Sequence, residues 1–159
     1  MRVVVLGPGG AGKSTFARAV AAGAGVPYVE LDREFWSAGL EPLPPAAWAA
    51  RQEALAAPGA WVLDGDLGPY DVVEARLRRA DTVVVLDLPT RVCAWRALRR
   101  SRQRRDFWWW LLTWRRRYRP RLLAAARRHA PAAELIVVRR PRAVARLAAD
   151  LGARDGRAG

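Results

Sequence analysis

Five short, mostly apolar runs punctuate the chain: RVVVL at 2–6, YVEL at 28–31, WVL at 61–63, TVVVL at 82–86 and LIVV at 135–138. Runs of this length, rich in Val and Leu and bounded by turn residues, read as strands buried on both faces, as in a parallel sheet. Apolar residues three and four apart in the intervals predict helices over 13–22, 45–56, 70–79, 90–100, 107–128 with a kink near Pro120, and 141–151. Pro27, Pro44, Pro45, Pro58, Pro89, Pro131 and Pro141 fall where a turn or a helix start is expected. Alternating strands and helices predict an α/β class with three layers, helix over sheet over helix, and a parallel five-stranded sheet. A length of 159 residues suits one domain. We expect residues 1–152 to form it, with 153–159 as a flexible tail.

The turn after the first run fits two phosphate-binding patterns at once. Gly7, Gly9 and Gly12 make G-x-G-x-x-G, the dinucleotide turn, while Gly7, Gly12, Lys13 and Ser14 complete G-x-x-x-x-G-K-[ST], the P-loop. Asp32, about twenty residues on, stands where a dinucleotide fold places its ribose-binding acid. The residue after the last glycine separates the two. A dinucleotide turn needs no base there, whereas a P-loop sets Lys against the β- and γ-phosphates and a Ser/Thr hydroxyl on Mg²⁺. Lys13, Ser14 and Thr15 supply these groups, so the stretch Gly7, Gly9, Gly10, Ala11, Gly12, Lys13, Ser14, Thr15 is expected to hold ATP with Mg²⁺. The helix starting at Lys13 would aim its positive dipole end at the phosphates. A carboxylate on a neighbouring strand should complete the metal site with Ser14. Asp64, closing WVLD, is the candidate; Asp87, closing VVVLD, suits either a direct role or a helix cap.

Charge adds an asymmetry. The net charge is +13, yet residues 1–80 hold eight basic and nine acidic side chains, against twenty arginines and six acids in residues 81–159. A polyanion would therefore meet the second half. Lys13 is the only lysine, a compact point charge kept where phosphates are expected. Cys93 and His129 are each alone of their kind, which speaks against a disulfide framework or a Cys/His metal cluster. No apolar run approaches the ~18 residues of a membrane span, and a strand begins after the first residues, so a cytoplasmic protein is expected.

Taken in order, LGPGGAGKST, LDREFW, WVLDGD, and ADTVVVLDLP followed by CAWRALRR resemble the adenylate-kinase-like small P-loop kinases. Within them the chain is most similar to the DNA topology modulation protein family, over roughly residues 2–105. The resemblance implies the P-loop NTPase fold, ATP–Mg²⁺ as donor, Asp32 and Arg33 facing the acceptor, Asp64 as the acid associated with the metal, and Arg96 and Arg100 reaching the transferring phosphates. An arginine that adenylate kinases carry after the DG pair is replaced here by Gly65-Asp66-Leu67-Gly68-Pro69, which argues against AMP as acceptor. The lid is reduced to an arginine-rich segment at about 101–119, with Ser101 to Asp106 between two helical patterns.

Arg96 and Arg100, spaced i, i+4, would form a fork for phosphate oxygens, while Arg99 reads as a solvated helix-end residue. Arg102, Arg104 and Arg105 could close over the site as a clamp. Asp32 could orient an acceptor hydroxyl and take its proton, beside an aromatic wall at Trp36. In DFWWWLLTWRRRYRPR, the residues Phe107, Leu111, Trp114, Tyr118 and Leu122 form a stripe expected to be buried; Trp108 and Trp109 lie outside it, available to bases, lipid or a partner subunit. Two functions follow: a kinase-like phosphotransferase acting on an unidentified small molecule, or a nucleotide-binding regulatory protein that contacts nucleic acid through its arginine-rich half.

Overall fold

A computed structural model describes residues 1–35, 43–68, 71–100 and 105–155. Five strands, β1 (Arg2–Leu6), β2 (Tyr28–Glu30), β3 (Trp61–Asp64), β4 (Thr82–Leu86) and β5 (Glu134–Val138), form one parallel sheet in the order β2-β3-β1-β4-β5. Helices α1 (Lys13–Ala24), α2 (Leu31–Phe35), α3 (Pro45–Ala56), α4 (Glu74–Leu77), α5 (Thr90–Arg100), α6 (Arg105–His129) and α7 (Pro141–Asp155) connect and follow them. Every strand pair is parallel, so each return to the start of the next strand runs through a crossover.

The period of two along β1 sorts its side chains between two cores. Val3 and Val5 join Val62, Val84 and Leu86 under α1 and α7. Val4 and Leu6 join Trp61, Leu63, Val83 and Val85 under α2, α3, α4 and α6. This is the three-layer α/β/α arrangement that the strand pattern predicts.

Three local readings change. Leu31 leaves the sheet and opens the short helix α2, so Asp32 and Arg33 sit on a helix rather than at a strand end. The helix expected over 70–79 contracts to Glu74–Leu77, because Asp71 is drawn into a buried network with Arg76 and Gln52. Helix α6 matches the single helix expected there, with Pro120 in its interior and its ends at Arg105 and His129. Helix α7 continues through Asp155, four residues past the end expected at 151, with Gly152 packed closely on Gly23 of α1.

Of the tryptophan-rich stretch, Leu111, Trp114 and Leu122 are buried, and Phe107 and Tyr118 are half-buried. Trp108 packs partly against the core of the α1 face, which removes it from the residues open to solvent. Trp109 stays 60% exposed. Among the described residues no helix is long and apolar enough to cross a membrane.

Candidate functional site

The loop from Gly7 to Gly12 joins the C-terminal end of β1, the central strand, to the N-terminus of α1. Gly10 has φ 76° and Gly12 has φ 88°, a region that favours glycine. A Cβ on Gly10 would also collide with the Cys93 carbonyl, and one on Gly9 with the Phe107 ring. The loop is thus packed from behind by α5 and α6. Lys13 Nζ donates to the Pro8 carbonyl at 3.3 Å, folding the ammonium back over the loop. Arg96 Nη1 donates to the Ala11 carbonyl at 3.3 Å, which ties α5 to the same turn.

Asp64 ends β3 beside the loop, in register with Val5 of β1. Its side chain is buried; Tyr28 donates its hydroxyl to Oδ2 at 3.3 Å, and the Ser14 hydroxyl lies near enough to favour the ionised carboxylate. Oδ1 is buried with no hydrogen-bond partner. Burial pushes the Asp64 carboxyl above its ordinary value, opposed by the Lys13 charge and by the Ser14 and Tyr28 hydroxyls. The Tyr28 phenol is pushed up to about 12, first by burial and then by the Asp64 and Glu30 charges. An unpartnered carboxylate oxygen beside the P-loop serine hydroxyl is what a P-loop magnesium ion requires, so the residues present fit that ion. Among the described residues no cluster of three His, Cys, Asp or Glu side chains is placed to hold a metal by itself.

Asp32 is exposed at the start of α2. Desolvation by the surrounding protein raises its pKa, with Lys13 opposing and Asp64, Glu30 and Asp71 adding to the rise. Arg33 is 79% exposed and lies 3.4 Å from Glu30. Arg105 is exposed at the start of α6. Arg100 closes α5, its side chain not among those described, and Trp36, Arg102 and Arg104 lie outside the described residues.

Three features escape a reading of the sequence. Asp66, two residues past Asp64, is buried and accepts from Trp114 Nε1 at 2.8 Å and from the Gly68 N–H at 3.1 Å. Asp87 caps no helix: it is fully buried beneath arginines, with Arg115 Nε at 2.9 Å, Arg119 Nε at 2.8 Å and Arg139 Nε at 3.7 Å. These partners are distant in sequence, so no spacing rule connects them. Lastly, a cavity of about 820 Å³ runs behind the loop between α1, α5 and α7, lined by Ser14, Thr15, Arg96, Arg99, Pro141 and Val144 among others. Arg99 therefore faces a site as well as solvent.

The strand order divides the cleft. The cavity lies toward β4 and β5, and Asp32, Asp64 and Asp66 lie toward β2 and β3, with the loop between them at the carboxyl edge of the sheet. That edge is where open α/β sheets bind ligands.

No protein-family model matches this chain, and no curated protein matches it. Solved structures do. A sugar kinase from Janibacter sp. HTCC2649 superposes with a TM-score of 0.59 at 20% identity, covering 97% of this chain and 95% of its own. A gluconokinase from Sinorhizobium meliloti 1021 gives 0.56 at 22% identity, covering 96% and 91%. Shikimate kinase from Acinetobacter baumannii, in complex with shikimate, gives 0.63 at 20% identity, covering 94% and 89%. At these identities the likeness is one of fold: the chain has the fold of the small P-loop kinases.

Proposed function

We propose that this chain is a small P-loop phosphotransferase that binds ATP with Mg²⁺ and passes the γ-phosphate to the hydroxyl of a small molecule. The observation that carries this reading is the orphaned Oδ1 of Asp64, held beside Ser14 and across from Lys13 at the end of a glycine loop. The motif order LGPGGAGKST, LDREFW, WVLDGD supports a place near the adenylate-kinase-like enzymes and, within them, the DNA topology modulation proteins.

On this reading the nucleotide base enters the cavity between Arg99 and Pro141 and the phosphates cross the loop. Amide N–H groups of the loop, Lys13 and the α1 N-terminus cradle the β- and γ-phosphates. Ser14 and Asp64 would hold the magnesium ion, which would neutralise charge on the phosphates. Arg96 would reach the transferring group from α5, and the motif resemblance adds Arg100 and the lid arginines Arg102, Arg104 and Arg105 as further candidates for that role. Asp32 would face the acceptor hydroxyl and orient it for in-line attack, with Arg33 and Trp36 the neighbouring residues in sequence that the motif assigns to the acceptor.

Calorimetry with ATP and Mg²⁺ tests this directly. Wild-type protein should bind in the micromolar range or tighter, Lys13→Ala should lose most of that affinity, and Asp64→Asn should lose its magnesium dependence. Uptake of a nicotinamide coenzyme in place of ATP would refute the reading. Supporting the regulatory alternative, Trp95 and Trp109 are exposed, with Arg99 and Arg117 guanidinium carbons 4.9 and 5.5 Å from their ring centres. Binding to nucleic acid that falls steeply with salt and survives Lys13→Ala would favour it.

A further inference from the structure

Among the described residues, four large apolar side chains stand open to solvent, and all four lie on α5 and α6. Trp95, Leu98, Trp109 and Leu112 are between 59% and 63% exposed. They repeat one pattern. An arginine precedes each tryptophan by four residues and a leucine follows it by three, giving Arg91, Trp95 and Leu98 in α5 and Arg105, Trp109 and Leu112 in α6. Steps of four and three keep each trio on one helical face, and Arg91 and Arg105 are exposed with it.

The opposite faces of the two helices are fixed in the protein. Cys93 and Ala97 of α5 and Leu111 and Trp114 of α6 are buried. Cys93 backs Gly10 and Phe107 backs Gly9, so the helices meet over successive residues of the P-loop. Each tryptophan stands two residues after one of these contacts, and two residues turn a helix by about 200°, so Trp95 and Trp109 both point away from the loop. Charge surrounds them. Residues 90–100 carry four arginines and no acid, and residues 105–117 carry four arginines and one acid, Asp106. The Arg99 guanidinium carbon lies 4.9 Å from the Trp95 ring centre, and that of Arg117 lies 5.5 Å from the Trp109 ring centre.

We propose that these outer faces of α5 and α6 dock the protein on an anionic lipid surface. An indole with a guanidinium over it suits the boundary between headgroups and acyl chains. The ring and the leucine one turn on enter the apolar side, while the arginines stay level with lipid phosphates and carboxylates. Nucleic acid suits the face less well. Leu98 and Leu112 gain nothing from bases or phosphates, and a base stacking on the covered side of either indole must displace the guanidinium already there. A twofold contact with a second copy would press arginine against arginine. Docking of this kind is independent of the acceptor and of phosphotransfer itself.

The test is co-sedimentation of the full chain at physiological salt with vesicles of phosphatidylcholine carrying about 30% phosphatidylserine, beside vesicles of phosphatidylcholine alone. Partitioning should be about tenfold or more stronger on the acidic vesicles. The combined variant Trp95→Ser, Leu98→Ser, Trp109→Ser and Leu112→Ser keeps every arginine. It should lose about tenfold or more of that partitioning, with the midpoint of thermal unfolding unchanged. Trp95→Phe with Trp109→Phe keeps the aromatic anchors and should still sediment with the vesicles. Lipids brominated along their acyl chains should quench tryptophan emission in the unaltered chain, and most of that quenching should vanish in the phenylalanine pair. Unchanged partitioning of the serine variant would overturn the proposal and leave only the attraction of excess arginine. Quenching that persists undiminished in the phenylalanine pair would overturn it as well, whether or not the serine variant folds. Single-stranded DNA bound at the same salt through these four residues, with vesicles unbound, would assign the face to nucleic acid. A vesicle-free dimer that the serine variant turns into a monomer, again with vesicles unbound, would assign it to a second copy.

Discussion

Trp114 donates its indole N–H to Asp66 across 2.8 Å, and both side chains are buried. The bond ties the middle of α6 to the loop leaving β3. One turn earlier, Trp110 lies against Gly68, and nearer the helix start Phe107 lies against Gly9 of the P-loop. Helix α6 thus spans from the nucleotide loop to the carboxylate edge, and its aromatic residues wall the cleft between them.

Trp114→Phe should leave Asp66 Oδ2 buried without its donor. We expect a loss of about 1–3 kcal/mol, read by urea denaturation. Asp66→Asn keeps an acceptor for the indole and should cost less.

Gly10→Ala should disable the loop more than it destabilises the fold. Its φ of 76° and the collision with the Cys93 carbonyl force the turn to shift, at a strain on the order of 1–3 kcal/mol. ATP affinity measured by calorimetry should fall tenfold or more, with the midpoint of thermal unfolding lowered by a few degrees at most.

Arg76 is a structural cation. It binds Asp71 through both terminal nitrogens, at 2.8 and 2.7 Å, and also contacts Gln52. Arg76→Met leaves a buried carboxylate unpaired and should destabilise the protein by roughly 3–5 kcal/mol. Combining it with Asp71→Leu should recover a large part of that loss in the same denaturation assay.

Asp81 gives a small pH dependence with a defined sign. Its carboxylate accepts from the Arg2 backbone N–H at 2.9 Å and from Nη2 at 2.6 Å. The Arg2 hydrogen bonds hold its pKa below the ordinary 3.8, with burial opposing. A depressed carboxylate stabilises the fold fully above its unfolded value, and that contribution disappears as pH falls through the folded value. Because the pair is exposed, the effect should be a few tenths of a kcal/mol, about that of a surface ion pair. Asp81→Asn should flatten the stability profile between neutral pH and the acid limb by that amount; an unchanged profile would show that the pair contributes nothing.

What could be read before folding was whatever depends on neighbours along the chain. The five strands, the loop at Gly7 to Ser14 and the helix starts at Lys13, Pro45, Thr90 and Pro141 all follow from local pattern, since hydrophobic period, glycine and proline act within a few residues. The candidate acids at 32 and 64 were legible for the same reason, each standing just past an apolar run. The Leu31 helix was missed because three residues of strand and five of helix carry too short a period to separate.

Tertiary structure decided the rest. Whether a carboxylate is free or engaged depends on partners far along the chain: Asp87 read equally as a cap or as a residue of direct role until Arg115, Arg119 and Arg139 converged on it, and Asp66 drew no notice until Trp114 reached it across forty-eight residues. Arg99 and Pro141 became walls of one cavity only when β5 closed beside β4. Burial and charge pairing are properties of a folded surface, and no spacing along a chain encodes them.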